Sequence, residues 1–276
     1  MRRGDEAMVT ADEMRRFRAD GYAPLGRLLD EGELATLGER IDQIMLGTAD
    51  APYDEMMMQL EPSTNPPKEL TGQRKGHKLP TLAYRKIQDL ELDPLFHAYL
   101  TRPLFADLCR RVYGEGRPVA CMRAMFMNKP ARGGSDLVWH QDRWTDLDRD
   151  PKVTVWIALD PATIANGCVQ IVPGSHRRLI NPSGGAGFLT DRQRDELNGK
   201  IESGHPDYRT VHLELEAGEA VLLHNWTLHR SGTNSTDIPR RAFSVCYMDA
   251  ATRSISGGSW RVVFEGDGQV VGPLAA

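Results

Sequence analysis

Apolar residues change their spacing near residue 118 of the chain. Up to residue 117 they recur about every 3.6 residues, as in Leu37, Ile41 and Ile44, which is the period of a helix with one buried face. Beyond it, apolar and polar side chains alternate in short runs, as over residues 213–216, which is the period of a strand. Many short strands after a helical section predict a mainly β fold with flanking α-helices, built on a jelly-roll core of the double-stranded β-helix, or cupin-like, type.

The pattern predicts the individual elements as follows. In residues 1–117 we expect a helix that starts at the capping-box sequence of residues 10–13 and ends at Gly21, a strand at 22–25, a helix introduced by Asp30, and helical structure over 93–113. In residues 118–276 we expect strands at 119–129, 138–144, 153–159, 168–172, 211–216, 219–224 and 241–248.

Two segments lack a regular pattern. Residues 47–80 contain five prolines and the methionine run 56–58, and residues 180–207 are rich in glycine and charge. Long irregular segments in a compact domain are often lids over a site, so we expect a lid in the first and an insertion with a second candidate lid in the other. The methionines fit a lid or a core equally well, because methionine packs adaptably.

Composition narrows the class of protein. A chain of 276 residues with 40% hydrophobic content can form one large domain, here residues 1–276. The net charge of -4 gives no basic field for nucleic acid or an anionic membrane. Residues 1–6 lack the apolar region of a signal peptide, and the four cysteines form no CxxC pair. We therefore expect a cytoplasmic monomer or homodimer with buried free thiols, acting on a small molecule without nucleic-acid or membrane partners.

A histidine and a carboxylate lie two positions apart at His140 and Asp142, within a segment predicted as a strand, so both side chains can project from one face. A further histidine far along the chain would complete a set of two histidines and one carboxylate. Such a facial triad holds Fe(II) and leaves coordination positions open. His224 and His229 both qualify, and because they are five residues apart they would face opposite ways on a regular strand. The residues thus suggest a non-haem iron oxygenase.

Several further motifs accompany this pair. They are Lys86-Ile87-Gln88-Asp89, Asn128-Lys129-Pro130, His140-Gln141-Asp142, Asn166-Gly167-Cys168, Pro173-Gly174-Ser175-His176 and the stretch 229–240. Together they make the chain resemble the phytanoyl-CoA hydroxylase family of Fe(II)- and 2-oxoglutarate-dependent dioxygenases, from about residue 20 to residue 249.

The resemblance implies roles for individual residues. It makes His140, Asp142 and His229 the metal ligands, and it places the arginine that binds 2-oxoglutarate eleven residues after the distal histidine, which is Arg240 (240 − 229 = 11). A guanidinium presents a planar fork that matches a carboxylate. The further co-substrate contacts that it implies are Lys86, Met125, Gln141, Trp156 and Ser231, and the aromatic residues near the ligands that could line a substrate pocket are Trp144 and Trp226.

By the same resemblance, the cofactor is Fe(II) and the co-substrates are 2-oxoglutarate and O2. The expected reaction is oxidation, most simply hydroxylation, of an unactivated C–H bond in a secondary metabolite or other polar small molecule, with release of succinate and CO2. One alternative is an acyl-CoA 2-hydroxylase, for which the basic run 74–78 could meet the phosphates of CoA. Alternatives of another class are a metal-binding cupin that does not use 2-oxoglutarate and a non-catalytic binding protein.

Overall fold

The computed structural model describes residues 8–184 and 187–272. The sequence of residues 1–6, on which the expectation about a signal peptide rests, lies outside the described residues. Within them the chain forms a sheet of nine strands and a sheet of four strands, with most of the α-helices beside the larger one. The described helices are α1 (Ala11–Asp20), α2 (Glu31–Leu46), α3 (Pro94–Leu100), α4 (Pro103–Tyr113) and α5 (Asp191–Glu202).

The large sheet is antiparallel and takes its central strands from residues 119–249. Its hydrogen-bonded order is β1-β10-β7-β12-β5-β4-β2-β3, and β13 also pairs with β5. The bounds are β1 (Tyr22–Arg27), β2 (Met57–Leu60), β3 (Arg74–Lys75), β4 (Tyr84–Gln88), β5 (Val119–Lys129), β7 (Val153–Ala158), β10 (Glu219–His224), β12 (Arg240–Asp249) and β13 (Arg261–Phe264).

The small sheet has the order β6-β11-β8-β9 and closes the other side of the core. Its strands are β6 (Leu137–His140), β8 (Val169–Ile171), β9 (Val211–Leu213) and β11 (His229–Ser231). A cavity lies between the two sheets, because its lining comes from β4, β5, β7, β10 and β12 on one side and from β6, β8 and β11 on the other. Two facing antiparallel sheets with helices on the outside confirm the predicted jelly-roll fold.

The main hydrophobic core lies between the helices and the outer face of the large sheet. Phe17 of α1, Ile41 of α2, Phe96 of α3 and Phe105 of α4 are buried there with Phe243 of β12. The helix starts follow the sequence closely, since Thr10 and Asp30 both form complete capping boxes. The helices therefore pack on one face of the large sheet, and its other face lines the cavity.

Some predicted elements differ from the structure. The helical stretch 93–113 is two helices, because Pro103 starts a new helix after Thr101 ends the first. Residues 47–80 contain β2 and β3 as well as irregular chain. Met56 and Met58 are fully buried in the main core, and no residue of 47–80 lines the cavity between the sheets. The structure therefore favours the core interpretation of the methionine run over a lid at this site.

The insertion at residues 180–207 holds α5 and packs beside the small sheet. Leu189 and Leu197 are buried against Trp139, Val172 and Leu228. All four cysteines are buried and free, as expected. Among residues 8–184 and 187–272, every helix is too short or too polar to cross a bilayer.

Candidate metal centre

Two neighbouring strands of the small sheet bring two of the candidate ligands together. β6 ends at His140, β11 begins at His229, and these residues are paired across the antiparallel strands. Asp142 follows β6 outside the strand, so the expectation that His140 and Asp142 share one strand face is wrong. Its position is set instead by its backbone N–H, which donates to the carbonyl of Asn225 at 2.7 Å. Strand pairing and one loop hydrogen bond thus assemble the three residues.

The three side chains converge on one point. One ligand atom from each of His140, Asp142 and His229 lies within 4.8 Å of the others. The imidazole centroids are 4.0 Å apart, and His140 Nε2 is 3.9 Å from Asp142 Oδ1. This spacing suits a single divalent ion with bonds of about 2.0–2.2 Å to each atom.

Backbone carbonyls orient both imidazoles. His140 Nδ1 lies 2.8 Å from the Val138 carbonyl, and His229 Nδ1 lies 2.9 Å from the Thr227 carbonyl. A carbonyl only accepts, so each Nδ1 carries the proton and each Nε2 presents its lone pair. Metal-binding histidines are commonly fixed in this way. The donor set therefore fits a metal ion without rearrangement of the rings.

Burial and charge favour the ligating forms of these groups. Burial, together with nearby His229, lowers the pKa of His140 to about 3, so the ring is neutral. Burial would raise the pKa of Asp142, but chiefly the positive charge of Arg123 lowers it below its ordinary value. Two neutral imidazoles and one carboxylate are the ligand types of a non-haem iron site.

His224 is excluded from this cluster by its own hydrogen bond. Its Nδ1 accepts the backbone N–H of Trp226 at 3.1 Å, so its Nε2 carries the proton and offers no lone pair. The ring packs against His176 and Phe17 instead. His224 ends β10 of the large sheet, whereas His229 begins β11 of the small one. The two histidines are thus separated by a turn between sheets, and not by alternation along one strand as the sequence suggested.

Arg240 lies in the same cavity as the triad. It is 4% exposed, its guanidinium carbon lies 5.7 Å from the centre of the Trp156 ring, and its Nε has no hydrogen-bond partner within the described part of the chain. Burial lowers its pKa to about 10. Among the residues that the structure describes, no carboxylate forms an ion pair with it. A buried, unpaired guanidinium is costly unless an anion binds there.

The other residues expected at the co-substrate divide into two groups. Lys86, Met125, Trp156 and Ser231 all line the cavity. Gln141 does not, because its amide is used elsewhere: Nε2 donates to the carbonyls of Arg178 and Trp226, and Oε1 accepts from the N–H of Ile180. The amide therefore ties the insertion to the end of β6 and points away from the ligand space.

The two tryptophans considered for a substrate pocket are near the cavity but not in its lining. Trp144 lies against the guanidinium of Arg123, at 5.3 Å from ring centre to carbon. Trp226 donates its indole N–H to Asp150 Oδ2 at 3.1 Å. Their rings shape the surroundings of the site, with Trp144 the closer to its charged groups.

Sequence reasoning missed several residues of the site. Arg123, Thr154 and Asn225 line the cavity. Phe188, from the insertion, stacks on His140 with ring centres 5.1 Å apart. Arg123 could have been predicted from the sequence. It lies two residues before Met125 on β5, so both side chains point to the same face, and it is a single charged residue in an apolar run. Phe188 was not, since only the folded insertion brings it to the metal centre.

Comparisons with known proteins give results that agree with this geometry. The model of the family described as phytanoyl-CoA dioxygenase (PhyH) matches residues 17–242. A probable phytanoyl-CoA dioxygenase of Caenorhabditis elegans is 27% identical over 88% of this chain and 76% of its own length. The phytanoyl-CoA dioxygenase of Arabidopsis thaliana is 25% identical over 90% of this chain and 91% of its own.

Solved structures show the same fold at lower identity. The non-heme alpha-ketoglutarate-dependent carbocyclase SnoK from nogalamycin biosynthesis is 20% identical and has a TM-score of 0.65, covering 93% of this chain and 90% of that one. EctD from S. alaskensis, solved with 2-oxoglutarate and 5-hydroxyectoine, is 19% identical with a TM-score of 0.67, covering 91% and 80%.

Proposed function

We propose a reaction for this chain, which belongs to the phytanoyl-CoA dioxygenase family of Fe(II)- and 2-oxoglutarate-dependent enzymes. The proposed reaction is hydroxylation of an unactivated C–H bond of a small polar molecule. Succinate and CO2 are the products from the co-substrate. The proposal assigns His140, Asp142 and His229 as the iron ligands, supported by the convergence of their donor atoms within 4.8 Å.

A facial triad leaves three positions of an octahedral ion free for other ligands. Bound Fe(II) supplies the activation of O2 that C–H oxidation requires. The chain contributes the geometry: the Val138 and Thr227 carbonyls fix the two imidazoles, and Phe188 covers one face of His140. A covered, largely apolar site keeps water away from a reactive centre.

Arg240 is the observation that carries the assignment of the co-substrate. A buried guanidinium without a carboxylate partner, in the same cavity as the triad, matches the distal carboxylate of 2-oxoglutarate. Trp156 packs on its face and Ser231 lies in the same lining. Lys86, whose pKa is lowered to about 8 chiefly by burial, is a second cation in the lining.

The cavity favours a small polar substrate or the reacting end of a larger one. Its volume is about 100 Å³, below the roughly 300–1,000 Å³ of pockets that enclose drug-sized ligands. Secondary metabolites are among the molecules that structural neighbours process, as the origin of SnoK in nogalamycin biosynthesis illustrates. We therefore propose a metabolite of this kind as the substrate, in the cytoplasm.

An acyl-CoA substrate is the second candidate, favoured by the names of the relatives. It would place the thioester end in the cavity and the nucleotide outside. The basic run 74–78 does not line the cavity, because β3 forms the edge of the large sheet two strands away from β4. A cupin without 2-oxoglutarate or a non-catalytic binding protein would leave the buried charge of Arg240 without a role.

Succinate formation tests the proposal. We expect the protein with Fe(II), 2-oxoglutarate and O2 to release succinate, slowly alone and faster with a metabolite that gains one oxygen by mass. His224→Ala should retain the slow reaction, and His229→Ala should lose it. Succinate release that does not depend on Fe(II), or no release at all, would contradict the proposed function.

A further inference from the structure

Arg123 is a charged residue of the cavity that neither the metal nor the co-substrate requires. It lies on β5, paired with Cys246 of β12, and projects to the cavity with Met125 and Met127. Arg240 is paired with Lys129 at the other end of the same two strands. The six steps from residue 240 to residue 246 span about 20 Å at roughly 3.4 Å per residue, so the two arginines occupy opposite ends of the site.

The donors of Arg123 are mostly unused. Nη2 makes one long hydrogen bond, at 3.3 Å, to Asp142 Oδ2, and the buried Nε has no partner among residues 8–184 and 187–272. One face of the guanidinium lies on the Trp144 ring. A stacked guanidinium keeps its in-plane donors available for a planar anion. The side chain is 19% exposed, so it lies at the boundary between the cavity and its surroundings.

The charges of the filled site leave this arginine without a counter-charge. Asp142 is the single carboxylate among the residues that line the described cavity. Its Oδ1 lies toward His140 Nε2, and the carboxylate is thereby placed to bind the metal. The charges of a divalent ion, Asp142 and a dianionic co-substrate leave one negative charge, which Arg240 neutralises. Arg123, Lys86 and Arg230 then remain positive, and of these Arg230 already donates to Gln170 Oε1.

We propose that Arg123 binds a carboxylate of the substrate and so determines the substrate class, with Trp144 supporting the guanidinium. The inference rests on the proposed function. A carboxylate matches the guanidinium in charge and accepts two parallel N–H bonds from its fork. Its position beside Asp142 puts the bound carboxylate near the metal, at the opposite end of the cavity from Arg240 and the distal carboxylate of the co-substrate. The substrate is therefore a small carboxylic acid oxidised at a carbon a short distance from its carboxylate.

A role in positioning Asp142 alone would be a different function for Arg123. In that case the loss of Arg123 would weaken metal binding, because an oriented ligand carboxylate binds its ion about 10–100-fold more tightly. A role in substrate binding would leave the metal and the co-substrate bound. The two roles therefore predict different results for the same variant.

The test uses the anaerobic protein loaded with Fe(II) and 2-oxoglutarate, whose visible charge-transfer band responds to occupation of the substrate site. The probes are butanoate, benzoate and N-acetylglycine, each beside its primary amide, together with phenyl phosphate. We expect at least one acid to perturb the band at a tenfold lower concentration than its amide. Arg123→Gln should remove this preference while iron and 2-oxoglutarate affinities stay within about twofold, and Arg123→Lys should keep part of it.

Arg117→Gln is the matched control, because Arg117 is exposed and pairs with Asp249 just before the same strand. It should keep the full preference for acids. The inference is overturned if no acid is preferred to its amide, if the preference survives in Arg123→Gln, if phenyl phosphate binds better than benzoate, or if Arg123→Gln loses iron. Absence of the band in the wild-type protein would overturn the proposed function itself, and the inference with it.

Discussion

The two faces of the large sheet treat neighbouring arginines differently. On the face toward the helices, Arg241 donates to both oxygens of Asp160 at 2.8 Å and to Asp42 of α2 at 3.1 Å. One residue earlier on β12, Arg240 faces the cavity, where it is 4% exposed and has no acidic partner among the described residues. The packed face satisfies its buried charges within the protein, whereas the cavity face leaves them for ligands.

The histidines at the two ends of one turn repeat this contrast. His224 Nδ1 accepts a hydrogen bond from a backbone N–H, and the His224 ring packs on Phe17 of α1. His229 leaves Nε2 open toward His140 and Asp142. Residue type alone does not distinguish a structural group from a ligand-binding one. The partners already present in the fold make the distinction, since a buried polar group without one is costly.

The largest effect should come from removing a ligand. His229→Ala is expected to abolish Fe(II) binding and succinate formation, because two donor atoms do not hold the ion as three do. His224→Ala should retain both, since the His224 Nδ1 accepts a backbone N–H and its ring packs on Phe17. Metal content after dialysis and succinate yield measure the outcome. Iron kept by the first variant and lost by the second would reverse the assignment of the distal ligand.

Arg240→Ala should have the next largest effect. Removing one member of a buried charge pair costs about 3–5 kcal/mol, and each 1.4 kcal/mol is about tenfold in affinity. The affinity for 2-oxoglutarate should therefore fall by at least about a hundredfold, with iron binding preserved. Arg241→Ala is the control and should change that affinity by less than about twofold. Equal losses in the two variants would break the contrast between the two faces.

The free energy of unfolding should fall more in Arg241→Ala than in Arg240→Ala, which is the opposite order to their effects on 2-oxoglutarate binding. Arg241→Ala removes the guanidinium donors of Asp160, which is 15% exposed and keeps the backbone N–H of residue 241. Losing a hydrogen bond to a charged group costs about 1.5–3 kcal/mol. Arg240→Ala removes a buried unpaired cation and should leave the free energy of unfolding unchanged or raise it in the absence of ligand. Denaturant midpoints of the apoproteins measure both. A larger loss of stability in Arg240→Ala would indicate an unrecognised structural partner.

The smallest effect concerns acid pH. Burial, with His176 nearby, lowers the pKa of His224 to about 4, below the ordinary value of about 6.5. The unfolded chain thus binds a proton that the folded one does not, so stability is full above about pH 6.5 and falls as the pH decreases toward 4. For this partly exposed ring the loss should be about 1 kcal/mol near pH 5. Unfolding of His224→Gln between about pH 7 and pH 5 should show a correspondingly smaller slope.

The sequence predicted the framework because its local rules were obeyed. Capping boxes at Thr10 and Asp30 began helices as expected, and the run from Val119 to Lys129 is a strand over its full length. The family match confirmed the enzyme class that the motifs implied. Long-range placement was harder to predict. β2 and β3 in residues 47–80 exist because they extend the sheet beyond β4, and short strands of this kind have no strong pattern of their own.

The site was predictable to the extent that motifs specify it. The triad and Arg240 come together in one cavity, as the resemblance to the family implied. The position of the Gln141 amide could not be predicted, because its neighbours in the motif do not determine where it points. Backbone groups of the folded loops bind it instead. Arg123 was missed because no motif contains it, although the alternation of β5 directs it to the cavity.

Anaerobic titration of the Fe(II)-loaded protein with 2-oxoglutarate tests directly whether the triad holds the iron and Arg240 binds the co-substrate. Chelation of the iron by the keto acid produces a visible charge-transfer band. We expect a saturable band at one equivalent of 2-oxoglutarate in the wild-type protein, no band in His229→Ala, and a band in Arg240→Ala only at concentrations about a hundredfold higher. A wild-type protein that binds Fe(II) but gives no band, or an Arg240→Ala variant that saturates like the wild type, would contradict these assignments.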